Sequence, residues 1–374
     1  MSSRRRILVI ENSRQVTGAL KSIVAMAEDL RDDFEFIFIF PSNSAARSWI
    51  QSRTNIRVIE LPMLEISKSW RAVFYIPVLF INALRVKRII SRDKIDIVHS
   101  NDLYNLIGPV LRSFGVKFKY ICHARFLPSG FPSWLYNYWV NRQLSAADKL
   151  IVVSDVLKSK LPDVPKVIRI YDRMLLSSSD NIKPNRPGNI ILYMANIIPG
   201  KGHDHAIQAF AKAHEKFPSW KLRIVGSDMG LEKNRQYLSQ LKSMAIRLAV
   251  DSFIEWNDFV SDVAIEYKNA DIFANFSSSE SFSMTCLEAQ YYGCCAVATS
   301  SGGPAEIISD GHSGILVPVN DVAAMTAALE KLMRDSQLRE SMGSNGAKLV
   351  RERFGPANTS GMLRNVYMVT FASS

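Results

Sequence analysis

Short β-rich apolar runs alternate with helix-patterned segments along the whole chain, and no other feature restricts the fold as much. In the first half the runs fall at 7–10, 34–40, 57–61, 97–99, 119–123 and 150–154. In the second they fall at 190–194, 221–226, 253–256, 272–276, 296–299 and 314–317. Each run is apolar almost without interruption, as expected of strands covered on both faces of a parallel sheet. Two such series predict an α/β protein with two doubly wound domains. The length, 374 residues, is enough for two separate cores. The stretch 171–188, YDRMLLSSSDNIKPNRPG, is rich in Ser, Asn, Pro and Gly and reads as a linker. The expected domains are therefore 1–170 and 189–355, followed by a helix-patterned tail, 356–374.

Charge separates the two halves. The net charge is +11, and residues 1–173 hold 27 Lys+Arg against 15 Asp+Glu, so the excess lies in the first half. A basic half-molecule favours an anionic partner. No helix-turn-helix or zinc pattern accompanies the charge, so nucleic acid is not the expected partner. Cys122, Cys286, Cys294 and Cys295 lie in apolar runs without metal-ligand spacing, and read as buried thiols in a reducing cytoplasm. Arg4, Arg5 and Arg6 lead into only four apolar residues before Glu11, which suits a first strand and not a secretion signal. The longest uncharged apolar segment, AVFYIPVLFINAL, has 13 residues, against about 20 for a membrane-spanning helix.

The chemistry concentrates in 275–318, NFSSSESFSMTCLEAQYYGCCAVATSSGGPAEIISDGHSGILVP. Glu280 and Glu288 stand eight positions apart, the first at the mouth of an expected helix and the second two turns inside it. A helix starting near Ser281 would turn amides, including those near Phe282 and Ser283, toward a ligand at the strand's carboxyl end. Diphosphates bind at such places. Gly302 and Gly303 permit close backbone approach, with Glu306 just beyond. Taken alone, Glu288 reads as a solvated helix glutamate, and the glycine pair equally as an ordinary strand-to-helix turn; in company with Glu280 the functional reading leads. A second patch, YMANIIPGKG, places Lys201 and Gly202 after a strand, and another glycine, Gly226, ends the strand at 221–226. In the first half Gly18 opens a helix after strand one. His99 and His123 close two strands, where open α/β sheets place ligands.

This order of motifs resembles the nucleotide-sugar site of the retaining family 4 glycosyltransferases, with their E-x7-E signature and downstream GG-x-x-E. The resemblance implies the GT-B plan: two Rossmann-like domains facing across a cleft, with the C-terminal helix crossing back to the first. It implies a retaining transfer of a hexose from a nucleotide diphosphate sugar to a saccharide acceptor, lipid-linked, in surface polysaccharide or glycolipid assembly. Glu280 and Lys201 would serve the sugar and the diphosphate, and His123 would lie near the reacting sugar. Asn196, Gly202, Gly226, Phe282, Ser283, Glu288, Gly302 and Gly303 would form the donor site, with Gly18 and His99 on the acceptor side. No cofactor and no metal are implied. The family's usual Gly-Arg is here Ala195-Asn196, so one of two expected cationic contacts is absent. Two alternatives stay open: a non-hydrolysing sugar-nucleotide epimerase, which shares the two-domain plan, and a decayed sugar-nucleotide-binding subunit, suggested by Asn196.

Segment 70–94 mixes Trp70, Phe74, Tyr75, Leu79 and Phe80 with Arg71, Arg85, Lys87, Arg88 and Arg92. A second aromatic stretch, 126–139, contains Phe131, Trp134, Tyr136, Tyr138 and Trp139. Aromatics beside cations suit a membrane interface. The expectation is peripheral docking of the basic half on an acidic lipid surface at the inner face of the membrane. Core packing of the same aromatics is the alternative.

Overall fold

The structure is a computed structural model that describes residues 4–64, 74–128, 132–176, 188–260 and 262–372. Trp70, Arg71, Phe131 and most of the expected linker lie outside the described residues. Contacts divide the chain into two units, Met1–Leu175 with Phe354–Ser374, and Leu176–Arg353.

The first unit is built on a seven-stranded sheet. Its strands are β1 (Arg5–Ile10), β2 (Phe34–Pro41), β3 (Arg57–Leu61), β4 (Ile97–Ser100), β5 (Lys119–Ala124), β6 (Lys149–Val152) and β7 (Val167–Arg169). The order is β3-β2-β1-β4-β5-β6-β7, with every neighbouring pair parallel. The second unit has six strands: β8 (Ile190–Met194), β9 (Lys221–Val225), β10 (Ile254–Asn257), β11 (Ile272–Asn275), β12 (Cys295–Thr299) and β13 (Gly314–Val317). They run β10-β9-β8-β11-β12-β13, again all parallel. Every strand expected from the apolar runs is present. The addition is β7, whose three residues are too few to show a pattern in sequence.

Both sheets wind outward from their first strand, which lies centrally: β1 between β2 and β4, β8 between β9 and β11. Where the winding reverses, open α/β sheets place ligands beyond the carboxyl ends of the central strands. In the first unit the loops leaving those ends begin at Glu11 and Asn101. In the second they begin at Ala195 and Phe276.

The first core shows why the chain's end belongs to this unit. Ile7, Val9, Phe36, Phe38 and Phe40 of the sheet pack with Leu20, Ile23 and Val24 of helix Gly18–Asp29. Thr17 caps that helix, its hydroxyl accepting from the Leu20 amide at 3.2 Å. Helix Ser360–Ala372 adds Leu363, Val366 and Tyr367 to the same core. The Tyr367 ring meets Phe34 edge-on at 5.3 Å, and its hydroxyl lies 2.7 Å from His99 Nδ1. On the helix surface Arg364 pairs with Asp33 at 2.9 Å, and Ser360 donates to Asp29 at 2.6 Å. Removing the ring of Tyr367 would empty a closed core and strip His99 of its partner. Tyr367→Ala is expected to cost about 3–5 kcal/mol, read as a lower urea midpoint; a cost below about 1 kcal/mol would contradict this packing.

Candidate functional site

In the second unit the two switch-point loops are fastened to each other. The first runs from Ala195 to Gly202 after β8, and the second from Phe276 to Ser283 after β11. Tyr193, at the end of β8, donates its hydroxyl to the Lys201 carbonyl at 2.5 Å and accepts the Phe276 amide at 2.9 Å. Ser278 donates both its amide and its hydroxyl to the Gly200 carbonyl, at 2.9 and 3.1 Å. Gly202 has φ +73°, and a Cβ there would lie 2.1 Å from the Phe276 carbonyl oxygen. Only glycine fits this crossing.

The zipped loops bring Lys201 and Glu280 together, 79 residues apart in sequence. Lys201 Nζ donates to Glu280 Oε1 at 2.7 Å. The ammonium side chain remains 29% exposed and the carboxylate 12%, so a solute can reach the pair, although it is shielded from bulk water. Glu280 is held at its backbone as well, its amide donating to Ser301 O and its carbonyl accepting from Gly303 N, at 3.0 and 2.9 Å. A Cβ on Gly303 would fall 2.0 Å from the Phe282 carbonyl oxygen. Gly302 bridges to Glu280 in the same contact. The glycine pair thus braces Glu280, a role the sequence left undecided. Gly226 packs behind the first loop, where a Cβ would fall 1.9 Å from the Ala195 carbonyl oxygen.

The helix expected near Ser281 spans Met284–Tyr291. Ser283 caps it from a left-handed backbone, φ +86°, which costs energy for a residue with a side chain. Its hydroxyl receives the Cys286 amide at 3.4 Å. Phe282 buries its ring, so only its backbone could face a ligand. Glu288 is not a solvated helix glutamate. It is buried, and Tyr267 donates to its Oε2 at 3.0 Å. Burial beside this carboxylate pushes the Tyr267 phenol well above its usual range. Asn196 is exposed on the first loop. Tyr193 and Tyr267 support the site and escaped the sequence reading, since Tyr193 in an apolar run looks like core and Tyr267, between Glu266 and Lys268, belongs to no motif.

In the first unit Gly18 opens its helix as expected. His99 and His123 both end strands and are both fully buried, with rings stacked at 5.5 Å. Burial lowers the His99 pKa to about 3 and drives His123 well below its ordinary value, in both cases helped by the Arg125 charge, so both rings are neutral. His99 turns Nδ1 to the Tyr367 hydroxyl in the core, and its Nε2, like that of His123, is buried without a partner. His123 is reached by Arg125, a residue the sequence reading passed over. The aromatic stretches divide. Tyr136 and Trp139 are core, whereas Trp134 and Tyr138 are exposed on helix Ser133–Ala146.

Residues 16–171 match the family model described as Glycosyltransferase Family 4, and residues 177–349 match that of Glycosyl transferases group 1. The chain belongs to the glycosyltransferases. Within it a family 4 domain precedes a group 1 domain, and the Lys201–Glu280 site falls in the second. The glycosyltransferase is 27% identical over 310 residues to the putative glycosyltransferase EpsD of Bacillus subtilis, covering 76% of this chain and 79% of that one. It is 35% identical over 207 residues to the exopolysaccharide phosphotransferase SCO2592 of Streptomyces coelicolor, covering 53% of this chain but 21% of that protein. Among solved structures, Anabaena Alr3699/HepE in complex with UDP and glucose superposes with a TM-score of 0.81 at 19% identity, over 98% of this chain and 99% of that one. A glycosyltransferase from Rickettsia africae ESF-5 gives the same score and identity, over 99% and 100%. These likenesses establish the GT-B type of fold.

Proposed function

We propose that the chain transfers a hexose, with retention at the anomeric carbon, from a nucleoside diphosphate sugar to a saccharide acceptor. The observation that carries this is the Lys201–Glu280 pair, held by two zipped loops at the switch point of the second sheet. Transfer requires the bond between the anomeric carbon and the diphosphate to break, and negative charge grows on the leaving oxygens. Lys201 supplies a cation there, and the first turn of helix Met284–Tyr291 supplies the positive end of a dipole. In this reading these two features carry the charge without a divalent ion. Glu280, released from Lys201 when phosphate takes its place, accepts hydrogen bonds from hexose hydroxyls. Glu288, oriented by Tyr267, serves the ribose. The acceptor hydroxyl adds on the face the diphosphate leaves, and its proton passes to a phosphate oxygen.

The relatives point to the setting. One is a capsular polysaccharide biosynthesis glycosyltransferase, CapM of Staphylococcus aureus, 30% identical over 165 residues. Surface polysaccharide or glycolipid assembly on a lipid-linked acceptor follows as our reading. The first unit supplies a surface suited to it. Helix Tyr75–Arg92 exposes Ile76, Phe80, Ile81 and Leu84 and then turns basic through Arg85, Lys87, Arg88 and Arg92. Among the described residues no helix is long and apolar enough to cross a membrane. We read the face as one that rests on anionic lipid. Four free, buried cysteines suit a reducing compartment, hence the cytoplasmic face of the membrane.

Lys201→Ala and Glu280→Ala are each expected to lower transfer by about 100-fold or more, measured on purified protein with the nucleotide sugar that most raises its melting temperature among UDP-, GDP- and ADP-sugars. Unchanged transfer in both variants would exclude the assignment. The wild-type protein is expected to co-sediment with anionic vesicles at low salt, to be released as salt rises, and to ignore neutral vesicles. Absence from the anionic pellet would remove the membrane reading.

A further inference from the structure

A buried chain of polar groups crosses the carboxyl edge of the first sheet, and each link dictates the next. Glu11, 3% exposed, has a carboxylate that can only accept. Its Oε1 takes the Ser13 amide and hydroxyl at 2.9 and 2.6 Å, and its Oε2 takes Asn101 Nδ2. The Asn101 amide is thereby oriented, leaving Oδ1 as the acceptor for Arg125 Nε at 2.7 Å. Arg125 is also paired with Asp172, which Ser22 holds at 2.8 Å. Its guanidinium is held in this frame with Nη2 3.3 Å from His123 Nδ1. A guanidinium has only donors, so His123 Nδ1 accepts and the ring proton sits on Nε2. That Nε2 is buried and has no partner. A buried donor left unmet is costly.

We propose that Arg125 is a positioning residue that holds His123 as the Nε2–H tautomer, so that His123 meets substrate as a hydrogen-bond donor and not as a base. The kinetic half rests on the proposed transfer reaction; the tautomer half does not. A base at this position would need a bare Nε2, and the frame from Glu11 to Arg125 supplies no proton acceptor at Nδ1 to permit one. The groups facing the ring are Arg125, the stacked His99 and, behind the guanidinium, Asp172.

The test uses the full chain labelled with 15N-histidine and long-range nitrogen–proton correlation spectra. The expected wild-type spectrum shows His123 neutral with its proton on Nε2. A proton on Nδ1 would overturn the proposal, and this reading needs no variant to fold. Arg125→Met should shift the Nδ1 resonance and raise the pH at which the ring takes up a proton, whereas Arg125→Lys, which keeps a cationic donor, should stay near wild type. Identical His123 spectra in wild type and Arg125→Met would refute the positioning role. In turnover, His123→Gln keeps a donor and should retain activity within about 10-fold, while His123→Leu should lose about 100-fold. Equal losses would overturn the donor role. A wild-type protein that turns over no nucleotide sugar would sink the transfer reaction and leave the spectra to decide Arg125 alone.

Discussion

Everything proposed for the second unit depends on one ion pair, Lys201 with Glu280, formed by residues that share neither a strand nor a helix. An ammonium and a carboxylate on two loops would drift apart unless the loops were joined. Tyr193 joins them from below with one phenol used twice, and Ser278 joins them from the side. The parallel sheet makes this possible, because winding outward from β8 places the two loops next to each other at one edge. The pair is partly shielded, so it is strong enough to persist and open enough to be exchanged.

The first unit solves a similar problem with a longer relay. Its switch-point loops carry Glu11 and Asn101, and their side chains are spent on orienting Arg125 rather than left facing solvent. The C-terminal helix closes the other side, with Tyr367 against His99. Both central strands therefore end in buried polar frames, one presenting an ion pair and the other a neutral imidazole.

Much of the architecture was legible in the sequence, because a strand buried on both faces must be apolar at nearly every position. Runs such as 34–40 and 272–276 could be little else. The short β7 was not legible, since three residues carry no period. At the site, Lys201, Glu280 and Glu288 stood out by type and spacing. The glycines did too, but whether Gly303 served a ligand or a loop crossing depended on the Phe282 carbonyl beside it, which only the folded chain shows. Tyr193, Tyr267 and Arg125 were invisible for a related reason: each sits in an apolar or unremarkable stretch, and each depends on a partner 8 to 83 residues away, which for Arg125 is the Asp172 that holds it against His123. His99 was singled out because it ends a strand; its partner Tyr367, from the far end of the chain, was not legible.

The account holds that a diphosphate takes Glu280's place on Lys201. Titration calorimetry of UDP, GDP and ADP against wild type and Glu280→Gln tests this most directly. Without the competing carboxylate, the nucleoside diphosphate that wild type prefers should bind Glu280→Gln more tightly, by several-fold up to about 10-fold, or ~1.4 kcal/mol. Equal or weaker binding by Glu280→Gln would contradict it.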